Sequence, residues 1–129
     1  MSISVSAVKQ VVVKNVERIQ SLKDLAFLLE VNSETLRKDF AREERHPISD
    51  YIRDVRIRRA VYYLLSTNVP CKDVCFLVGF TREDVGARAF KAWVGMPMGK
   101  FRELYSEHAI KNSHVRRTQN EPQRTLSVK

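Results

Sequence analysis

Only two cysteines, Cys71 and Cys75, occur in 129 residues, so no disulfide framework holds the chain. Four glycines and four prolines are too few for the turn-dense layout of an all-β sandwich. No apolar run approaches the roughly 20 residues that a membrane span needs, and Met1-Ser2-Ile3-Ser4 lacks the layout of a signal peptide. A cytoplasmic protein with no membrane partner is expected. There is no glycine-rich phosphate loop and no nucleophile and base at catalytic spacing, so neither an enzyme nor a cofactor is expected. Cys71 and Cys75 share a helix face, but His46, His108 and His114 lie elsewhere. That falls short of a zinc site, and no metal is expected. Cys75 reads instead as a small buried apolar residue.

What is abundant is positive charge. Lys and Arg number 23 against 15 Asp and Glu, a formal net charge of +8, and the hydrophobic fraction of 43% is that of a globular chain. Such an excess suits nucleic acid, but it also suits an anionic membrane. The arrangement of the residues has to decide.

Apolar spacing predicts one helix after another. Val5, Val8, Val12, Val16 and Ile19 form one face of a first helix, although Val11-Val12-Val13 would also suit a strand. Ser21 and Asp24 form a capping box that starts a second helix, with Leu22, Leu25, Ala26, Leu28 and Leu29 as its apolar stripe. Asn32 caps a third, whose inner face is Leu36 and Phe40. Pro47 starts a long fourth helix to about Ser66, carried by Tyr51, Ile52, Val55, Ala60, Tyr62, Leu64 and Leu65. Pro70 opens a fifth through Val78, closed by Gly79. A sixth covers about 82–94, closed by Gly95, and a short seventh follows Pro97. Phe27, Phe40, Phe76, Phe80, Phe90 and Trp93 read as core. The polar stretch 108–129 reads as a flexible basic tail, with an eighth helix over 106–111 as the alternative.

The chain repeats itself. KDLAFLLEV at 23–31 returns as KDVCFLVGF at 72–80, with Lys23/Lys72, Asp24/Asp73, Phe27/Phe76 and Leu28/Leu77 identical. Downstream, Lys38 pairs with Arg88, Phe40 with Phe90, Pro47 with Pro97 and Tyr51 with Phe101. The expected fold is therefore all-α, with about seven helices. Two helix–turn–helix subdomains, 1–46 and 68–107, are joined by a linker helix at 47–67. A connector of about 20 residues is roughly 30 Å long, close to the about 34 Å of one turn of B-DNA. Two recognition helices, at about 33–44 and 82–94, could then enter successive major grooves on one face of a duplex.

These residues resemble the DNA-binding domain of the AraC/XylS family of bacterial transcription regulators over about 5–105. The resemblance is carried by GFTREDVGARAFKAWVGMPMGKFR at 79–102, above all Gly79-Phe80, Phe90-Lys91, Gly95-Met96 and Phe101-Arg102. In the linker it is carried by Tyr51, Val55-Arg56 and Arg59-Ala60. It implies two helix–turn–helix units, a connecting helix, and binding to adjacent major grooves at a promoter or operator. RNA polymerase is a further implied partner, and a monomer on DNA is expected. The chain reads either as a stand-alone regulator or as the DNA-binding part of something larger.

Outward positions supply the candidate base contacts Glu34, Arg37, Lys38, Glu83, Asp84 and Arg88. Arginine bonds guanine O6 and N7 together, and a carboxylate accepts from cytosine N4. The candidate phosphate contacts are Lys23, Ser33, Arg42, Lys72, Arg82, Lys91 and Lys100. Lys23, Lys72 and Lys100 lie near helix starts, where backbone N–H groups also attract phosphate. A lone surface cation is most often merely solvated. Lys38 and Arg88 stand apart because repeat symmetry and family position agree on them.

Several residues depart from the family pattern. Glu34, Glu83 and Asp84 are acidic at groove positions, Glu30 stands where a glycine is common, and Pro97 arrives one residue early. Gly86, where the family carries a large apolar residue, predicts a loosely packed sixth helix, with Ala89 also small and Trp93 compensating. The rival reading is a degenerate helix–turn–helix module that docks on polymerase or another regulator without reading DNA.

Overall fold

A computed structural model describes residues 4–106, so the basic stretch 108–129 and helix 106–111 lie wholly or almost wholly outside the described residues. Seven α-helices and no strand occur among the described residues: α1 (Val5–Asn15), α2 (Leu22–Leu29), α3 (Ser33–Glu44), α4 (Ile48–Ser66), α5 (Cys71–Leu77), α6 (Glu83–Val94) and α7 (Met98–Tyr105). The first helix is shorter than its apolar spacing predicts: it ends at Asn15, Val16–Arg18 form a 3-10 turn and Ile19 is extended. Val16 and Ile19 are still buried, because the turn brings them onto the same core. The valine run 11–13 is helical, because Val8 and Val12, one turn apart, are both fully buried against the neighbouring helices.

Local chemistry sets the helix ends. Ser21 accepts from the Asp24 N–H while the Asp24 carboxylate accepts from the Ser21 N–H, the capping box read from sequence. The Asn32 side chain accepts from the N–H groups of Glu34 and Thr35. Pro47, Pro70 and Pro97 each stand immediately before a helix, where no N–H is needed.

Two cores form, and α4 belongs to both. Val8, Val12, Val16, Ile19, Leu25, Leu36 and Phe40 pack with Ile48, Ile52 and Val55 from its first half. Val74, Cys75, Val78, Phe80, Phe90, Met98 and Phe101 pack with Ile57, Ala60 and Leu64 from its second. At about 100° of turn per residue, Ile48, Ile52 and Val55 form a stripe roughly 150° away from the stripe of Ile57, Ala60 and Leu64. One helix thus carries a core on each of two nearly opposite faces.

Three aromatic residues expected in the core are not there. Phe27 is 83% exposed, Phe76 45% and Trp93 50%. The apolar string of α2 is wider than one face of an eight-residue helix. Leu25 and Ala26 turn inward, so Phe27 and Leu28 turn outward, and Phe76 and Leu77 of α5 repeat this. Gly86 also differs from expectation. It is buried, and a Cβ added there would lie 2.9 Å from both the Cys75 Sγ and the Phe80 ring. The space is already filled by Phe80 and Cys75, so α6 is closely packed at this point and needs no compensation from Trp93.

Candidate nucleic-acid interface

Each unit presents its second helix with the inner face buried and the outer face charged. In α3, Leu36, Asp39 and Phe40 are buried while Glu34, Arg37, Lys38 and Arg42 are exposed. In α6, Gly86 and Phe90 are buried while Glu83, Asp84, Arg88 and Lys91 are exposed, with Arg82 at the N-cap. The same acid–base pairing occurs on both helices. Lys38 Nζ lies 3.9 Å from the Glu34 carboxylate, and Arg88 Nη2 lies 3.6 Å from that of Asp84. Both pairs span one helical turn, four residues.

A second arginine closes each cluster. Arg37 Nη2 donates to Glu34 at 2.5 Å. The Arg82 fork holds Asp84 through Nε at 3.0 Å and Nη2 at 2.9 Å. The hydrogen bond from Arg37 draws the Glu34 carboxyl below its ordinary value, and Arg82 does the same to Asp84. Arg37 and Arg82 are raised in return. All four groups stay charged through neutral pH. Their side chains are about half exposed or more, and ion pairs this solvated are weak. A phosphate or a base edge can displace them at little cost.

The remaining candidates spread over the surface. Lys23 lies in the first turn of α2, Lys72 in that of α5 and Lys100 in that of α7, and Ser33 is the first residue of α3. Arg42 donates to Asp39 at 2.9 Å, which answers the carboxylate of that buried residue. Lys23, Lys72, Lys91 and Lys100 have no ion-pair partner among the described residues. Glu83 is exposed, and its carbonyl lies 3.7 Å from the Cys75 Sγ. Burial raises the pKa of that thiol, with smaller contributions from Glu83 and Cys71. No group of three or more His, Cys, Asp or Glu able to hold a metal occurs among the described residues.

Sequence reasoning assigned no role to three arginines that position this surface. Arg56 of α4 donates to the Ile19 carbonyl of the first unit, and its guanidinium carbon lies 5.2 Å from the centre of the Phe80 ring in the second. Arg59 donates to the Val13 carbonyl near the end of α1 and lies 3.5 Å from the Glu17 carboxylate. Arg102 donates to the carbonyls of Tyr63, Leu64 and Thr67, closing the C-terminal end of α4. All three stand in the motifs that carry the family resemblance, and Arg56 has a signal of its own. Ile52, Arg56, Ala60 and Leu64 recur every four residues, so Arg56 interrupts an otherwise apolar row.

Paired helix–turn–helix units whose outward helices carry charged faces of mixed sign, built on one shared helix, define a class: the DNA-binding domain of a transcription regulator. The family follows from comparison with known proteins. The helix–turn–helix domain family matches residues 25–104, and the chain belongs to it, in its AraC-type form. Among individual proteins, the chain is similar to the HTH-type transcriptional regulator YfiF of Bacillus subtilis (strain 168), at 29% identity over 93 residues, 72% of this chain. It spans only 29% of the length of that relative. Solved structures share the fold. The C-terminal domain of AraT, a response regulator from Geobacillus stearothermophilus, superposes with a TM-score of 0.71 at 22% identity, covering 79% of this chain and 85% of that one. An AraC-type transcriptional regulator from Chromobacterium violaceum gives 0.69 at 17% identity, with 80% and 92% covered. The DNA-binding domain of AdpA, solved in complex with a target DNA, gives 0.69 at 15% identity, with 90% and 97% covered.

Proposed function

We propose that the chain binds one asymmetric duplex site as a monomer, with α3 and α6 in successive major grooves, and thereby regulates transcription at a promoter. One observation carries this reading: two outward helices with the same acid–base pattern are fixed to a single 19-residue helix. At 1.5 Å per residue, α4 is roughly 28 Å long, close to the about 34 Å pitch of B-DNA. Residues 1–46, 47–67 and 68–107 then act as reader, spacer and reader. The function is binding, without catalysis. It takes place in the bacterial cytoplasm, with RNA polymerase as the further partner of the bound complex.

Within this reading Lys38 and Arg88 address guanine O6 and N7. Arg37 supports Lys38, while Glu34, Asp84 and Glu83 hold these cations or accept from cytosine N4. Lys23, Ser33, Arg42, Lys72, Arg82, Lys91 and Lys100 contact phosphate. The acidic groove residues were the main reason to favour docking on a protein instead. Glu34 and Asp84 are each neutralised by two neighbouring cations, which removes much of that reason.

Selection of bound sequences from random duplexes, followed by titration at several salt concentrations, tests the proposal. A steep fall of affinity with salt is expected. Lys38→Ala and Arg88→Ala should each weaken the selected site roughly ten- to hundred-fold and relax preference at one position. Lys91→Ala should weaken all sequences alike and lower the salt slope by about one. An Arg88→Ala protein with unchanged affinity and preference would remove the second unit from the reading.

A further inference from the structure

We propose that Arg56 sets the spacing and phase of the two recognition helices, so that the protein accepts only one separation of half-sites. This rests on the two-groove reading above, and it makes Arg56 a positioning residue that touches no DNA itself.

The junction between the units is built around this side chain. On α4, Arg56 falls between the stripe that enters the first core and the stripe that enters the second. Its guanidinium donates to the Ile19 carbonyl, three residues before α2 begins, and lies over Phe80, in the turn that leads into α6. The backbones of the two units also meet here. A Cβ on Gly79 would lie 2.6 Å from the Val16 carbonyl oxygen and 2.9 Å from the Arg56 Nε. With φ at +113°, Gly79 also adopts a backbone conformation that other residues rarely take. The turn ahead of one recognition helix therefore rests on the 3-10 turn ahead of the other unit's helix pair, and Arg56 fills the remaining gap.

Core stability alone does not account for this residue. The Arg56 Nε is buried and makes no hydrogen bond to any described residue, a cost that an apolar side chain would not carry. A buried polar group kept despite such a cost is best attested as a register device. Register matters here because two readers on a loose joint lose freedom when both dock, and a pre-set joint removes that loss. A pre-set joint also rejects a wrong spacing. One inserted base pair rotates the far half-site by about 35° as well as moving it, given 10–10.5 base pairs per turn.

The test compares three duplexes: the sequence recovered by selection, the same sequence with one base pair inserted between its halves, and a single half. Wild type should prefer the intact spacing strongly. Arg56→Met should lose ten-fold or more on the intact site, keep half-site affinity within two-fold, and bind the inserted site nearly as well as the intact one. Arg56→Lys should lie between them, because its ammonium can still donate to Ile19 but lacks the planar fork. Thermal melts establish that each variant is folded. Should Arg56→Met fail to fold, Arg56→Lys carries the measurement and must show relaxed spacing. A variant that weakens all three duplexes equally, with the spacing preference intact, overturns the inference and leaves two-groove binding standing. Wild type that binds the single half as well as the intact site overturns two-groove binding, and the inference with it.

Discussion

In the first unit both helices of the pair begin on a side-chain cap, Ser21 for α2 and Asn32 for α3. In the second, Pro70 and Arg82 occupy the same places and supply none. The other ends reverse the pattern. The left-handed residues in the first unit are Glu30 and Arg45, with φ of 58° and 65°, whereas in the second they are Gly79 and Gly95. Non-glycine residues pay roughly 1–2 kcal/mol for that conformation, and a good N-cap contributes about 1 kcal/mol. Each unit is thus favourable at the helix end where the other is poor.

The cores differ in the same compensating way. Leu36, fully buried in the first unit, corresponds in the repeat to Gly86. Val31, only partly buried, corresponds to the buried Phe80. Volume removed from α6 has been returned by the ring in the preceding turn, and the Phe80 contact at Gly86 shows how closely it fills the space. Two copies of a unit can hold one shape with different side chains provided that the total volume is conserved.

Several substitutions would sharpen or break this comparison. Phe40→Ala and Phe90→Ala should each cost about 3–5 kcal/mol. Because α4 lies in both cores, denaturant unfolding should remain a single transition. If hydrogen exchange showed the first unit intact after Phe90→Ala, the units would be separable and the shared helix would not couple them. Gly86→Leu should cost about 1–3 kcal/mol from overpacking. Adding Phe80→Val, which restores the first unit's pair, should recover part of that loss, and a double-mutant cycle measures the recovery. Simple additivity would mean that the two positions do not exchange volume. Asn32→Ala should cost about 1 kcal/mol, whereas Arg82→Ala should leave the melting midpoint unmoved, because Arg82 makes no cap hydrogen bond. Glu30→Gly should have the smallest effect, a gain of about 0.5–1 kcal/mol by relief of the left-handed conformation, partly offset by the greater unfolded-state entropy of glycine.

Much of the fold was legible because it is written locally. Ser21 and Asn32 cap helices, prolines 47, 70 and 97 precede them, and the repeat aligns units that fold alike. The outward positions of Lys38 and Arg88 were legible too, since the exposed face of a helix follows from its period. The exposure of Phe27, Phe76 and Trp93 was not. An apolar string names residues able to be buried, and only the packing partners decide which face is used. Gly86 misled for a related reason, because helix propensity counts the missing side chain and says nothing of a ring arriving from six residues upstream.

What the sequence determined by itself is the series of helices, most of their ends, the doubling of the unit and the charged outward faces. These depend on interactions within a few residues and on a period of 3.6. The tertiary structure alone decided that α4 carries a core on each of two faces, that Phe80 fills the place of a leucine, and that Arg56 bridges the units. Those outcomes depend on atoms distant in sequence competing for the same space, and no local pattern records which of them arrives.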